Sequence, residues 1–247
     1  MKKTVAVAGK VLEYSMQNCW GSGFIPKLTH NVNVTRYWCG SDSEENFKKN
    51  PKPGYDQTSI VYKFNSHGYR TKEFEFNSDK KSIICIGCSF TYGTGINVED
   101  SWPSHIERAF PEYNVYNLGV PGSSGDTIAR ILTNIENLLN PAMILILWPE
   151  IHRYEIYNEN KIMDVSSKDK NAYTPTILID SHFEALKQKN QAIISLLKDK
   201  FNYAVFEHST RTLPIHVDNA RDNHPGPQSH RAIAQVFLNT VMDTNIV

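Results

Sequence analysis

The chain has 247 residues, enough to bury a full core in one large domain or in one domain with an extension. Its 40% hydrophobic and 21% charged residues set it apart from disordered or fibrous chains. The 26 basic and 26 acidic side chains cancel, so no global field draws it to nucleic acid or to an anionic membrane, and neither is expected as a partner.

The first ten residues, Met1 to Lys10, open like a signal peptide, but Lys10 interrupts the apolar run early. No export signal is read, and no stretch approaches the roughly 18 uncharged apolar residues of a membrane span. Cys19, Cys39, Cys85 and Cys88 are too few and too scattered for a disulfide scaffold, so a reducing, cytoplasmic setting is expected. Residues 1–80 are polar, aromatic and rich in Asn, Lys, Gly and Pro, which reads as an N-terminal extension or cap without a second core. Within it, residues 46–54 read as a polar loop, Ile60 to Phe64 as a strand and Asn65 to Gly68 as a turn.

Residues 81–247 alternate short buried runs with amphipathic stretches. Strands are predicted at Ser82 to Gly87, Asn114 to Asn117, Met143 to Trp148 and Tyr203 to Glu207. Helices are predicted from a Ser101 cap through Phe110, from Asp126 through Leu139, from Asp180 through Lys200 and from Gln228 through Met242. In the second of these Ile128, Ile131, Leu132, Ile135, Leu138 and Leu139 recur at the spacing of a helix lying on a sheet. The expected fold class is α/β, a three-layer α/β/α sandwich around a flavodoxin-like parallel sheet, with its ligand site at the carboxyl ends of the strands.

Ser89 follows the first of those strands in the run Gly87-Cys88-Ser89. A serine on such a turn is lifted to the sheet edge, flanking glycine lets the chain bend, and nearby backbone amides can hold an oxyanion. By itself Gly-x-Ser also fits a phosphate-binding turn or a helix cap. Cys85 and Cys88 form a C-x-x-C, but no second Cys/His pair stands at metal spacing, so Cys85 is read as a packing residue and no metal or cofactor is expected.

Gly87-x-Ser89-x-Thr91-x-Gly93 resembles the first block of the SGNH/GDSL hydrolases, with Cys88 in place of the usual Asp. Ser101-Trp102-Pro103 resembles the Trp-Pro pair that often opens the next helix in that family, and Asn117-Leu118-Gly119-Val120-Pro121-Gly122 resembles its second block, N-x-G-x-x-G. Asp222-Asn223-His224-Pro225 resembles its last block, D-x-x-H-P. The resemblance spans about two thirds of the chain, in the right order. It implies Ser89 as nucleophile, His224 as general base, Asp222 as the group orienting it, and an oxyanion hole from the amides of Ser89 and Gly122, with Gly119 as the alternative donor.

The pattern departs from the family in two further places. The Asp usually stands three residues before the His, where this chain has Arg221, so Asp222, Asp218 or no carboxylate could support His224; Asp222 is preferred. The third block, G-x-N-D, is absent: Met143 to Leu147 leads into Trp148-Pro149-Glu150-Ile151-His152-Arg153 without an Asn oxyanion donor. His152 and Arg153 can donate hydrogen bonds to a substrate or oxyanion, while the plainer reading pairs Arg153 with Glu150 or Glu155 at the surface. His230 is read as packing at the start of the last helix, and His208 and His216 as polar surface groups. Phe64-Asn65-Ser66-His67-Gly68-Tyr69-Arg70 resembles an element that precedes the hydrolase block in some relatives, either at the site rim or as an edge strand and turn.

The expected activity is that of a serine esterase or acylhydrolase on a small-molecule or carbohydrate ester. Acyl transfer by the same residues, a binding protein that keeps the cleft, and a nucleotide or flavin site are the rival readings. The last is disfavoured because the first turn has neither G-x-G-x-x-G nor a Walker pattern.

Overall fold

The computed structural model describes residues 2–7, 10–15, 28–135, 138–151, 153–158, 161–166, 180–201, 204–213 and 215–244. Its strands are β1 (Lys2–Val7), β2 (Lys10–Ser15), β3 (Thr35–Arg36), β4 (Tyr62–Lys63), β5 (Ser82–Gly87), β6 (Asn114–Asn117), β7 (Pro141–Trp148), β8 (Arg153–Asn158), β9 (Lys161–Ser166) and β10 (Ala204–Ser209). Its helices are α1 (Glu44–Lys49), α2 (Ser89–Tyr92), α3 (Trp102–Ala109), α4 (Gly125–Ile135), α5 (Asp180–Phe201) and α6 (Pro227–Met242).

The order β10-β7-β5-β6 makes a four-stranded sheet in which every pairing is parallel. A parallel sheet is covered on both faces, which is why β5 is buried at every position. Successive side chains of a strand point to opposite faces, and the two cores divide the strands accordingly. Ile84, Ile86, Ile144, Ile146 and Val205 pack with Ile128, Ile131 and Leu132 of α4 and Ile194 of α5. Ile83, Cys85, Met143, Leu145 and Phe206 pack instead with Trp102 and Ile106 of α3 and Ile233 and Phe237 of α6. The result is the α/β/α sandwich expected from the sequence. Trp102 and Phe237 stack with ring centroids 4.8 Å apart and join α3 to α6; a Phe→Ala change at such a buried position typically costs about 3–5 kcal/mol.

The sequence pattern did not indicate the second sheet, β2-β1-β9-β8, in which β1 runs antiparallel to β2 and parallel to β9, and β8 runs antiparallel to β9. It joins the first residues of the chain to residues 153–166, a pairing that no local pattern announces. The loop expected over residues 46–54 is also corrected, because its first part is helical. Ser43 caps α1 by accepting from the Asn46 amide at 3.2 Å, and Lys48 and Lys49 each pair with the glutamate one turn back. The strand expected from Ile60 to Phe64 shortens to β4, which pairs with β3. Ile60, Tyr62 and Phe64 are buried against Tyr92 of α2, so this segment packs its apolar side chains onto the turn that follows β5.

Among the described residues no helix is long and apolar enough to cross a membrane, and no group of three or more His, Cys, Asp or Glu is arranged to hold a metal ion.

Candidate active site

β5 ends at Gly87 on the carboxyl edge of the sheet, Cys88 is the N-cap of α2, and Ser89 is the first residue of that helix. The turn requires a glycine at 87: a Cβ there would run into Thr91 Oγ1 and lie 2.6 Å from the Leu147 carbonyl oxygen. After a single turn, Gly93 closes α2 in the left-handed conformation, φ 78°. The Asn117 side chain braces this turn, with Nδ2 donating to the Thr91 carbonyl at 2.9 Å and Oδ1 accepting from the Gly119 amide at 2.9 Å.

Val120 to Ser123 form a β-turn closed by the Ser123 amide on the Val120 carbonyl at 3.1 Å, with Pro121 followed by Gly122 at φ 80°. Gly122 lines the same cleft as Ser89 and His224, a hollow of about 560 Å³. The Gly119 amide is committed to Asn117, whereas those of Ser89 and Gly122 have no acceptor among the described residues. Of the two glycines singled out in the sequence, Gly122 is the one with an available donor.

Ser89 Oγ lies 3.0 Å from His224 Nε2, and His224 Nδ1 lies 2.8 Å from Asp222 Oδ2. A carboxylate only accepts, so Nδ1 carries the proton and Nε2 is left to accept from the serine hydroxyl. Burial alone would raise the Asp222 carboxyl, but hydrogen bonds and charge from His224, with a further bond from Ser41, outweigh it and hold the group below the usual carboxylate range. Phe90 and the imidazole meet nearly perpendicular, centroids 5.5 Å apart.

The shortened D-x-H spacing works because the chain reverses tightly. The Ala220 amide donates to the His224 carbonyl at 2.7 Å, the Asn223 amide to the Ala220 carbonyl at 3.1 Å, and the His224 amide to Asp222 Oδ1 at 3.2 Å. Asn223 supplies the left-handed residue, φ 71°, a conformation that Asn tolerates better than most side chains. Asp218 is engaged elsewhere: it accepts from the Gln228 and Ser229 amides at 2.9 and 2.8 Å, anchoring the start of α6.

Arg221 is buried and clamps Asp42 with two bonds of 2.7 Å each, from Nε and Nη2. It also donates to the carbonyls of Tyr37 and Asp56 and lies over the Trp38 ring at 3.9 Å. Next to Asp42, Ser41 donates to Asp222 Oδ2 at 2.6 Å. Arg70, from the segment expected at the rim or in an edge strand, is instead a buried anchor that donates to the carbonyls of Gly93 and Ile96 at 2.6 and 2.8 Å. Sequence reasoning missed the roles of all four, Arg221, Asp42, Ser41 and Arg70. The FNSHGYR element was a usable signal for Arg70, but nothing local to Ser41 or Asp42 marks them as partners of residues near 220.

Arg153, at the start of β8, lines the cleft. The expected surface pair with Glu150 or Glu155 is not formed. Glu155 is buried and held by Arg130 at 2.7 Å and by Thr127 at 2.7 Å, and Arg153 makes no ion pair among the described residues. His152 lies outside the described residues. Trp148, where the family pattern has Asn close by, turns its Nε1 to Glu207 at 2.8 Å.

Cys85 packs between the sheet and helices α3 and α6, and burial pushes its thiol up. His230 is buried, accepts the Trp102 amide on Nδ1 at 3.1 Å, and is pulled down to about 3 by burial. His216 is exposed as expected, but His208, on β10, is half-buried, with Nε2 3.0 Å from Thr240 Oγ1 of α6.

No family model and no curated protein matches the chain. Among solved structures it is similar to a protein of the G-D-S-L family from Desulfitobacterium hafniense DCB-2, described as lipolytic, with 15% identity over 63% of this chain and 96% of that one and a TM-score of 0.33. The functional reading therefore rests on the arrangement of Ser89, His224 and Asp222.

Proposed function

We propose that this chain is a serine esterase or acylhydrolase of the SGNH/GDSL type, with residues 81–247 as the hydrolase-like domain and residues 1–80 as an extension or cap that helps to complete the site. The observation that carries this reading is the continuous hydrogen-bonded line from Ser89 Oγ through His224 to Asp222, with links of 3.0 and 2.8 Å.

Ser89 Oγ attacks the ester carbonyl carbon while His224 Nε2 takes its proton, and Asp222 holds the imidazolium that forms. The carbonyl oxygen becomes an oxyanion, and the unengaged amides of Ser89 and Gly122 receive it. When the tetrahedral species collapses, the ester C–O bond breaks and Nε2 returns the proton to the departing alkoxide, which leaves as the alcohol. Water then attacks the acyl-Ser89 ester with His224 again as base, releasing the acid and restoring the hydroxyl. A sugar hydroxyl in place of that water would make the reaction a transfer. O-acylated carbohydrate is the substrate class we favour. An absent oxyanion donor typically lowers the rate about 10²–10³-fold, so modest turnover is expected.

The test is labelling with a fluorophosphonate and turnover of short-chain 4-nitrophenyl esters. Label on Ser89, lost in Ser89→Ala, is the expected result. No label on folded protein together with no turnover would leave the cleft as a binding site and refute the reading. Asp222→Ala is expected to lose activity by roughly 10³–10⁴-fold, while Asp218→Ala should act mainly on stability through α6.

A further inference from the structure

We propose that the ester taken by this site carries a negative charge, held by Arg153 with Arg36 at the mouth of the cleft; this rests on Ser89 being the nucleophile. The cleft that exposes Ser89 and His224 is lined by Arg153, Arg36 and His30. Asp42 is the one acidic residue in that lining among the described residues, and it is engaged: Oδ1 and Oδ2 accept from Arg221 and Oδ2 also from the Tyr62 hydroxyl. Among the described residues, Arg153 and Arg36 in this lining therefore have no carboxylate of the lining paired to them.

Arg153 is the central element. Its neighbour in sequence, Glu155, belongs to Arg130 and Thr127, and its Nη1 is enclosed yet meets no acceptor. Nη1 itself is closed to solvent, so the guanidinium edge that lines the cleft is the part a substrate can meet, and an unpaired guanidinium is matched best by an anionic oxygen with which two parallel bonds can form. Arg36, at the end of β3, is exposed, lines the same cleft and gives Nη2 to the His30 carbonyl at 2.7 Å. Long-range attraction from two arginines in one concave wall also raises the local concentration of anionic substrates. The chemistry selected is a carboxylate or phosphate on either the acyl or the alcohol side of the scissile ester.

The experiment compares charged and neutral esters of matched shape. On the acyl side these are 4-nitrophenyl hemisuccinate and 4-nitrophenyl valerate; on the alcohol side, 3-acetoxybenzoate and 3-acetoxybenzamide. The readout is the ratio of kcat/KM, charged over neutral, within each pair. At least one pair is expected to give a ratio above about ten, a difference of about 1.4 kcal/mol, that falls toward one in Arg153→Met, is partly kept in Arg153→Lys, and declines with added salt. The pair that responds identifies the side bearing the charge. A ratio near or below one in both pairs overturns the proposal. So does a ratio that survives Arg153→Met and Arg36→Met, since an equal loss on both esters makes Arg153 an oxyanion donor or a structural residue. If no ester is turned over and no fluorophosphonate reacts, the nucleophile reading fails by itself. Calorimetric binding of monomethyl succinate against methyl butyrate, with and without Arg153→Met, then decides the anion site separately: tighter, Arg153-dependent binding of the succinate supports it, and equal binding refutes it.

Discussion

The turn that carries Ser89 and the loop that carries His224 are each fastened to the N-terminal segment by a buried arginine, with different chemistry. Arg70 gives Nη1 and Nη2 to neutral carbonyl oxygens of Val61, Tyr92, Gly93 and Ile96 and lies 4.2 Å over the Tyr62 ring, with no carboxylate partner among the described residues. Two of these carbonyls, Tyr92 and Gly93, lie at the end of α2, where a one-turn helix leaves acceptors without intrahelical donors. Arg221 instead forms a two-bond clamp on Asp42, with both side chains almost wholly out of solvent. Removing the first leaves uncharged acceptors, which retain lone pairs and can be hydrated. Removing the second strands a carboxylate in the interior, which is far more costly.

The sharpest break should come from Arg221→Met, expected to destabilise the fold by about 3–5 kcal/mol in urea denaturation. Adding Asp42→Asn should recover part of that loss, and the double-mutant cycle would measure the coupling. Equal losses in the single and double variants would remove the ion-pair account. Arg70→Met should be milder, about 1–3 kcal/mol, with its catalytic deficit in kcat, because the carbonyls it holds belong to the Ser89 turn. Arg70→Lys should not restore it, since one ammonium cannot reach the carbonyls that a planar fork spans.

His230 is shifted chiefly by burial, with Asp218, His105, Arg70 and His224 also acting on it. The unfolded chain protonates this histidine below about 6.5, whereas the folded protein keeps it neutral down to about 3. Its contribution is therefore whole above pH 6.5 and drains as the pH falls toward 3, at up to about 1.4 kcal/mol per pH unit. His230→Gln should flatten that slope in denaturation measured across the interval. The smallest effect is expected from Ser41→Ala, which removes the 2.6 Å bond to Asp222. A several-fold fall in kcat with KM unchanged would mark Ser41 as positioning the carboxylate, and a change confined to KM would count against it.

Legibility followed the range of the interaction. The strands at 82–87 and 114–117 were readable to the residue, because their apolar runs and flanking turns are local. Residues 46–54 read as a loop because Pro51, Pro53 and Gly54 dominate that stretch, although Ser43 and the glutamate-lysine pairs before them carry a complete helix signal. The β2-β1-β9-β8 sheet had no such signal, since each strand there is defined by a partner far away in the chain. The same holds for Ser41 and Asp42, which meet Asp222 and Arg221 across about 180 positions.

Ser89 and His224 were singled out by the resemblance of several blocks, in order along the chain, to a known family, since Gly-x-Ser by itself also fits a phosphate-binding turn or a helix cap. Three choices belonged to the tertiary structure. Asp222 rather than Asp218 faces His224, because Asn223 reverses the backbone there while α6 occupies Asp218. Gly122 rather than Gly119 has its amide unengaged, because Asn117 already binds the other. Arg153 faces the cleft rather than a surface glutamate, because Arg130 reaches Glu155 from α4. Each depends on which of several chemically suitable partners lies within about 3 Å, the range of a hydrogen bond, and that distance is set by the packing of whole elements and not by the residues' own neighbours.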